Sequence, residues 1–279
     1  MADITRKDVE RRIKRGESLK EIDMTGLDLD EFNFEGATFF NCKFSGSSIN
    51  RSKFAFSRFE TCLFNDCEMT DCNLQESSFV ESDFSKTNLR DSVLIEVNLR
   101  QTILNSTNFS GSFLQEVVFI EASGDLCNFA FSNLKKSNLS RSNLNVCDFS
   151  ACQAYGVSAI DSDLTGSDFR GSRLDSSQFK GTLLNFCNFS DASLQKCNLS
   201  KAQLFSANLE NADLNSSDLN ETLLMGAKGN GANLRDSILN NSNMTRADFS
   251  NSIFDGADMT GVMDQDTVFD GASQKGVNR

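Results

Sequence analysis

Cysteine is the residue of this sequence whose side chain could do the most varied chemistry. A thiol can hold a metal, form a disulfide or attack a substrate, and the chain has nine of them. All nine stand at equivalent positions of a regular pattern, where Ala, Ser or Thr stands elsewhere: Cys42, Cys62, Cys67, Cys72, Cys127, Cys147, Cys152, Cys187 and Cys197. A residue type that is restricted to one small-residue position behaves as a small packing residue. We therefore predict structural thiols and no metal site.

Acid–base and nucleophilic catalysis also lack their usual residues. The chain has no histidine, the commonest general base and metal ligand. None of its many serines lies in a Gly-x-Ser-x-Gly turn, and it has no glycine-rich phosphate loop and no paired-cysteine motif. We predict that the protein is not an enzyme and has no catalytic, cofactor-binding or metal-binding residue.

The regular pattern in which the cysteines occur is a repeat of five residues. A large apolar residue, here called the centre, stands at every fifth position from Phe34 to Phe269, with no insertion or deletion. A small residue stands two positions before each centre. A period of five fits neither a helix nor a strand, so the chain must turn at regular intervals. Five centres break the apolar rule: Gly124, Ala154, Ala159, Gly229 and Asp264.

Missing core side chains weaken a fold locally. The loss of a buried Leu-sized group costs about 2 to 5 kcal/mol. We expect local bulges or bends at Gly124, at Ala154 and Ala159, and in residues 226–231.

Units such as Ser-Asn-Leu-Asn-Val around Leu144 resemble the pentapeptide-repeat family. The resemblance implies an all-β solenoid, a right-handed quadrilateral β-helix with four units per coil, centres and small residues inside, and about twelve coils. At about 4.8 Å per coil the solenoid would be on the order of 58 Å long. Thiols twenty residues apart would then have Cβ atoms about 4.8 Å apart, farther than the roughly 3.8 Å of a disulfide. We expect the thiols to be reduced.

Glycine placement supports regular corners. Fifteen of the seventeen glycines occupy the second position after a centre, for example Gly36, Gly111 and Gly256. Such a preference predicts a tight corner with positive φ at that position.

The two ends of the chain differ from the repeat. Thr5 followed by Asp8 predicts the N-cap of a short helix, with Gly16 at its end. We predict three regions: a helix with an irregular capping coil in residues 1–28, the β-helix in residues 29–273, and a tail in residues 274–279. The helix would cover the open end of the first coil.

Charge and family resemblance suggest one function. The net charge is −12, and some pentapeptide-repeat proteins are acidic DNA mimics that bind DNA gyrase or topoisomerase and protect it from inhibitors. B-DNA, however, carries about one charge per 1.7 Å, or roughly 34 over about 58 Å. Several acids also precede a centre, where Asn is interchangeable with Asp and serves corner hydrogen bonds: Asp148, Asp168, Asp213, Asp218 and Asp248. DNA mimicry is therefore the alternative function, and direct nucleic-acid binding is not expected.

The preferred function is a non-enzymatic interaction scaffold or adaptor. The opening, from Thr5 to Val9 and from Gly16 to Leu19, resembles pentapeptide-repeat modules of bacterial type VI secretion components. The sequence has neither a long apolar run nor an apolar N-terminus, so we expect a cytoplasmic protein without a membrane span.

Apolar residues at outward positions mark a candidate binding site. They flank centres of a single face, so a coil of twenty residues would align them in one stripe: Leu126, Val146, Leu183, Phe186, Phe205, Leu223 and Met225. A contiguous apolar patch is typical of a partner site. We predict that the stripe binds a protein partner or a second copy of the chain. The alternative reading is that these side chains fold over a corner or fill a local bulge.

Overall fold

The protein is described by a computed structural model for residues 2–279. The chain divides into two compact units, unit 1 (Met1–Asn138) and unit 2 (Leu139–Arg279), each of which is described by itself.

Both units are built from parallel pairing between residues twenty positions apart. In unit 1, Lys43 pairs with Leu63, and Leu63 pairs with Asp83. In unit 2, Asp163 pairs with Leu183, which pairs with Gln203. Four five-residue segments therefore complete one coil, as the sequence pattern predicts.

Regular secondary structure is short because the chain turns after every few residues. Strands β1 (Leu19–Lys20), β2 (Thr38–Phe40) and β3 (Arg58–Glu60) form one parallel sheet in the order β1-β2-β3. Elsewhere in residues 2–279 the pairing consists of isolated parallel bridges. Each side of a coil offers too few extended residues for a longer ladder.

The core contains the centres and the small residues before them. The centres from Leu19 to Met259 are buried, and their phenylalanine rings stack between coils, as in Phe39–Phe59 (4.7 Å between centroids) and Phe169–Phe189 (4.8 Å). Most small hydroxyl residues of the core donate to backbone carbonyls, whereas the buried hydroxyls of Ser142 and Ser242 have no partner among residues 2–279. Ser47 Oγ, for example, donates to Met24 O at 2.9 Å. The prediction that both positions point inward is confirmed.

Every residue at the second position after a centre, from Gly16 to Gly276, has positive φ. All fifteen glycines of this corner position belong to the set, which confirms the predicted corner. Most corners hold other residue types. The left-handed conformation costs such residues roughly 1 to 2 kcal/mol each.

No bulge forms at Ala154, Ala159 or Gly229, where the backbone keeps the register of the other coils. Gly229 N donates to Asp248 O at 2.6 Å, in the same register as the other coils. A Cβ on Gly229 would overlap the ring of Phe249, which leans into the space of the missing centre. At Gly124 a Cβ would lie 2.7 Å from the carbonyl carbon of Leu104, and the backbone bends at Asp125 and Leu126, as expected for this position.

One helix precedes the coils. Helix α1 (Arg6–Lys14) has Thr5 as its N-cap, ends at the C-cap Arg15 and is followed by Gly16 at φ 70°. Val9 is its buried residue. Arg6 Nη2 donates to Asp30 O at 2.8 Å.

The paired register extends beyond the predicted repeat region, residues 29–273. In unit 1 it begins where Leu19 pairs with Phe39, so the first coil is regular despite Ile22 and Leu27 at small-residue positions. In unit 2 it includes the pair Asp258–Asn278. Backbone pairing tolerates these changes because it does not depend on side-chain size.

Candidate functional site

Five of the predicted site residues lie on one side of three successive coils in unit 2. Leu183, Leu223, Phe205 and Met225 stand immediately before or after a centre, and Phe186 stands at the corner. Paired bridges connect Leu183 to Gln203 and Gln203 to Leu223, so these positions are stacked along the face. Leu183 and Met225 are half-buried, whereas Phe186, Phe205 and Leu223 are exposed.

Phe186 and Phe205 are in direct contact. Their ring centroids are 5.5 Å apart with an interplanar angle of 86°, an edge-to-face arrangement. Phe186 N also donates to Phe205 O at 2.9 Å, so the backbone fixes the two residues on adjacent coils. Phe186 is nevertheless 58% exposed and Phe205 is 42% exposed.

Around this pair, three columns of the face carry no charged side chain over three coils. They contain apolar, amide, hydroxyl and glycine residues: Leu183, Asn185, Phe186, Gln203, Phe205, Ser206, Leu223, Met225 and Gly226. The opposite corner of the same face carries Lys201 and Glu221, whose Nζ and Oε2 atoms lie 3.6 Å apart. Val146 stands in the same corner column as Phe186, with Gly166 between them, and is exposed. We call Val146, Leu183, Phe186, Phe205, Leu223 and Met225 the Phe186–Phe205 patch.

The corner position makes Phe186 and Val146 costly for the fold. Phe186 has φ 61° and Val146 has φ 55°, in the left-handed region that glycine or asparagine adopts more readily. Such a position gains no core burial from a large apolar side chain. The stability of the fold therefore does not explain why Phe186 and Val146 stand at these corners.

Leu126 belongs to unit 1, where it is exposed at a corner with φ 60°. The sequence reasoning missed other exposed apolar residues, most of them on other faces, although Met263 stands in the same column as Leu223. In unit 1 these are Phe56, Ile103, Phe113 and Phe131; in unit 2 they are Tyr155, Ile238, Met263 and Val268. The same outward-position rule, applied to all four faces, would have found them.

The positions of the cysteines indicate a structural role. All nine are buried. Burial raises the pKa of Cys152 and of Cys187 to about 12, so these thiols remain protonated at neutral pH. Among residues 2–279, no group of three or more His, Cys, Asp or Glu side chains is arranged to hold a metal ion.

The acids that precede a centre have a structural role. In all five predicted cases, Oδ1 accepts a hydrogen bond from the backbone N–H two residues later, for example from Ser150 to Asp148 at 2.8 Å and from Asn220 to Asp218 at 2.9 Å. Asp168, Asp213 and Asp248 make the same bond. Asparagine offers the same acceptor, which explains why Asn and Asp alternate at this position.

The described part of the chain offers no membrane-crossing helix: α1, the one helix of residues 2–279, is too short and too polar.

The family model for pentapeptide repeats matches this chain eight times, over residues 18–54, 67–105, 82–120, 102–141, 125–158, 147–185, 182–221 and 230–262. No curated protein matches it. Among solved structures, the chain is similar to HetL, a pentapeptide repeat protein involved in heterocyst differentiation regulation in the cyanobacterium Nostoc sp. strain PCC 7120. Identity is 23% over 96% of each chain, with a TM-score of 0.31.

Two further structures are similar. QnrB1, a plasmid-mediated fluoroquinolone resistance protein, is 20% identical over 68% of this chain and 91% of its own, with a TM-score of 0.29. A pentapeptide repeat protein of the Arabidopsis thaliana thylakoid lumen is 30% identical over 37% of this chain and 61% of its own, with a TM-score of 0.21. These TM-scores are low, so the assignment depends on the repeat matches. By those matches, the chain belongs to the pentapeptide repeat family, whose members fold as right-handed quadrilateral β-helices.

Proposed function

We propose that this protein is a non-enzymatic interaction scaffold and that the Phe186–Phe205 patch binds a protein partner. The proposal rests mainly on the exposed contact between Phe186 and Phe205, which other apolar side chains of unit 2 flank. Exposed single apolar residues are common, but an aromatic pair within a contiguous apolar patch is typical of an interface.

The partner surface should be apolar and uncharged where it meets the patch. Desolvation of a charge without a counter-charge is unfavourable, and the residues next to the patch, Asn185, Gln203 and Ser206, offer amide and hydroxyl groups for polar contacts. Aromatic and methionine side chains are enriched at the centres of protein interfaces. Phe186, Phe205 and Met225 meet this description. A second copy of the chain is the other candidate partner, because it would present the same surface.

Acidic DNA mimicry is the less favoured function. Five of the acids that would imitate phosphates accept backbone hydrogen bonds at corners, and asparagine can replace them in that role. A gyrase supercoiling assay separates the two functions. We expect no inhibition by the purified protein, and inhibition at submicromolar concentration would favour mimicry. The link to bacterial secretion and the cytoplasmic location stay predictions.

We also assign helix α1 as the cap of the first coil. Val9 is fully buried, and Arg6 donates to the carbonyls of Asp28 and Asp30 and lies 5.5 Å from the ring centre of Phe32. These contacts cover groups that an uncapped coil would expose.

The binding proposal is tested by affinity capture with three forms of the chain: the original chain, Phe186→Ser with Phe205→Ser, and a matched control, Tyr155→Ser with Ile238→Ser. The control replaces two exposed apolar residues on other faces of unit 2. We expect at least one protein to be retained by the original chain and the control, and lost with the patch variant.

Analytical ultracentrifugation of the same three proteins shows whether the retained partner is a second copy. If the patch variant retains the same proteins as the original chain in the affinity capture, the proposal is contradicted.

A further inference from the structure

A second outward face, on unit 1, combines apolar and acidic groups in a regular arrangement. Val93, Ile95 and Phe113 lie on the same side of two successive coils, and bridges pair Asn73 with Val93 and Val93 with Phe113. Val93 and Ile95 are half-buried, whereas Phe113 is 49% exposed. These three side chains form an apolar strip along the face.

Carboxylates border the strip on both sides. Glu76, Glu96 and Glu116 occupy the corner on one side of three successive coils, and Asp71 and Asp91 occupy the opposite corner. All five side chains are exposed. The spacing along each column is one coil, about 4.8 Å. Like charges at this spacing repel one another, so the columns attract positive charge.

Only part of this charge is neutralised within the chain. Arg90 Nε lies 3.0 Å from Asp91 Oδ2, and Lys136 Nζ lies 3.4 Å from Glu116 Oε1. Asp71 and Glu96 form no ion pair among residues 2–279, and neither does Glu76, which accepts a hydrogen bond from Gln75. The charge that is left over flanks the apolar strip on two sides, and basic residues stand in the next coils, Arg51 and Lys53 at one end and Lys135 and Lys136 at the other.

The backbone of this face cannot add another strand. Glu76 N donates to Ile95 O at 2.9 Å, and Glu96 N donates to Gln115 O at 2.9 Å, so neighbouring coils already use these groups. A ligand on this face must therefore be recognised through side chains.

An α-helix fits the dimensions of the face. The extended residues between two corners span about 10 Å, comparable to the diameter of a helix with its side chains. One helical turn rises about 5.4 Å, close to the spacing of about 4.8 Å between coils. A helix that lies along the coil axis can thus place one apolar residue per turn on the strip and basic residues beside each column.

We propose that the face formed by Val93, Ile95 and Phe113, with its two acidic columns, docks a basic amphipathic helix of a partner protein. The apolar stripe of the helix contacts the strip, and lysine or arginine on both flanks pairs with the columns. The interface is small, so the complex is transient and its affinity lies in the micromolar range. This surface differs from the Phe186–Phe205 patch in position and in charge.

The test uses a synthetic, fluorescently labelled peptide of about eighteen residues, roughly 27 Å long when helical. Leucine at helical spacing forms its apolar stripe, and lysine occupies both flanks. A scrambled peptide of the same composition is the peptide control. Fluorescence anisotropy with the full chain measures binding at about 50 mM and about 500 mM salt.

Three variants identify the surface. Glu76→Gln with Glu96→Gln and Glu116→Gln should weaken binding about tenfold or more, and Phe113→Ser should also weaken it. The control is Glu21→Gln with Glu81→Gln and Glu210→Gln, which changes the net charge equally at exposed positions elsewhere. We expect the control to bind like the original chain. Equal weakening by the control, or equal binding of the scrambled peptide, would show attraction to net charge alone and overturn the proposal.

Discussion

The ring of Phe186 contacts the ring of Phe205 edge to face, with centroids 5.5 Å apart, although both side chains are exposed to solvent. A backbone hydrogen bond between the two residues holds them on adjacent coils. The pair is therefore ordered before any partner arrives. Rigid aromatic groups lose little conformational entropy on binding, which suits them to act as interface anchors.

Gly229 and Phe249 should be energetically coupled. Gly229→Ala places a methyl group against the Phe249 ring, so we expect a loss of about 1 to 3 kcal/mol in the free energy of unfolding. Phe249→Leu removes the ring that fills this space and should partly rescue the alanine variant. Urea denaturation of the two single variants and the double variant measures the coupling, which we expect to be about 1 kcal/mol or more. Strictly additive effects would contradict the packing described here.

Asp248 should be replaceable by asparagine but not by alanine. Its Oδ1 accepts from Ser250 N at 2.9 Å, and asparagine retains an oxygen at the same place. We expect Asp248→Asn to change the free energy of unfolding by less than about 0.5 kcal/mol, and Asp248→Ala to lower it by about 1 kcal/mol. Chemical denaturation at neutral pH measures both values. Equal losses in the two variants would argue against the corner hydrogen bond.

The same residue predicts a dependence on acid. Hydrogen bonds from the Ser250 hydroxyl and backbone N–H lower the pKa of Asp248 below its ordinary value of 3.8. The ionised Asp248 therefore stabilises the fold fully above pH 3.8. This contribution is lost as the pH falls from 3.8 through the lower pKa of the folded state. Asp248→Asn cannot titrate, so its stability should decline less than that of the original chain in this range. Parallel acid titrations of the two proteins test this difference.

The buried thiols predict a loss of stability at high pH. Burial raises the pKa of Cys152, Cys187 and Cys197 from 9.0 to about 12. Between these values the unfolded chain releases protons that the folded chain retains, so stability falls as the pH rises above 9.0. Replacing all three by alanine, which occupies the equivalent position in other coils, should flatten this decline. Urea midpoints from pH 8 to pH 11, at intervals of about one unit, compare the variant with the original chain.

Thiol labelling gives an independent check on burial. We expect all nine cysteines to react slowly in the native protein and completely after denaturation, because all nine are buried. Rapid labelling of most of them in the native state would contradict their place in the core.

Most of the fold could be predicted from the sequence because the repeat carries redundant information. The position of Phe39 or Leu144 is fixed by a pattern repeated many times, and the corner conformation is indicated by the placement of glycines such as Gly36. The response of the structure to a missing centre was harder to predict. It depends on whether a neighbour such as Phe249 can lean into the space, which is a property of three-dimensional packing.

The candidate site could be predicted only in part. The outward positions of Phe186 and Phe205 follow from the repeat, but their contact depends on side-chain rotamers that the pattern does not specify. The acidic columns of unit 1 were not recognised from the sequence because only the net charge of the whole chain was considered. Once residues twenty apart are stacked, Glu76, Glu96 and Glu116 fall into one column.

The central claim is that Phe186 serves binding and not the fold, and the unfolding free energy of Phe186→Gly tests it most directly. Phe186 has φ 61°, a conformation that costs glycine nothing and other residues roughly 1 to 2 kcal/mol. Glycine's greater entropy in the unfolded chain offsets part of this gain. We therefore predict that the variant is as stable as the original chain, or more stable by up to about 1 kcal/mol. A loss of about 2 kcal/mol or more would show that the ring supports the fold and would contradict the account.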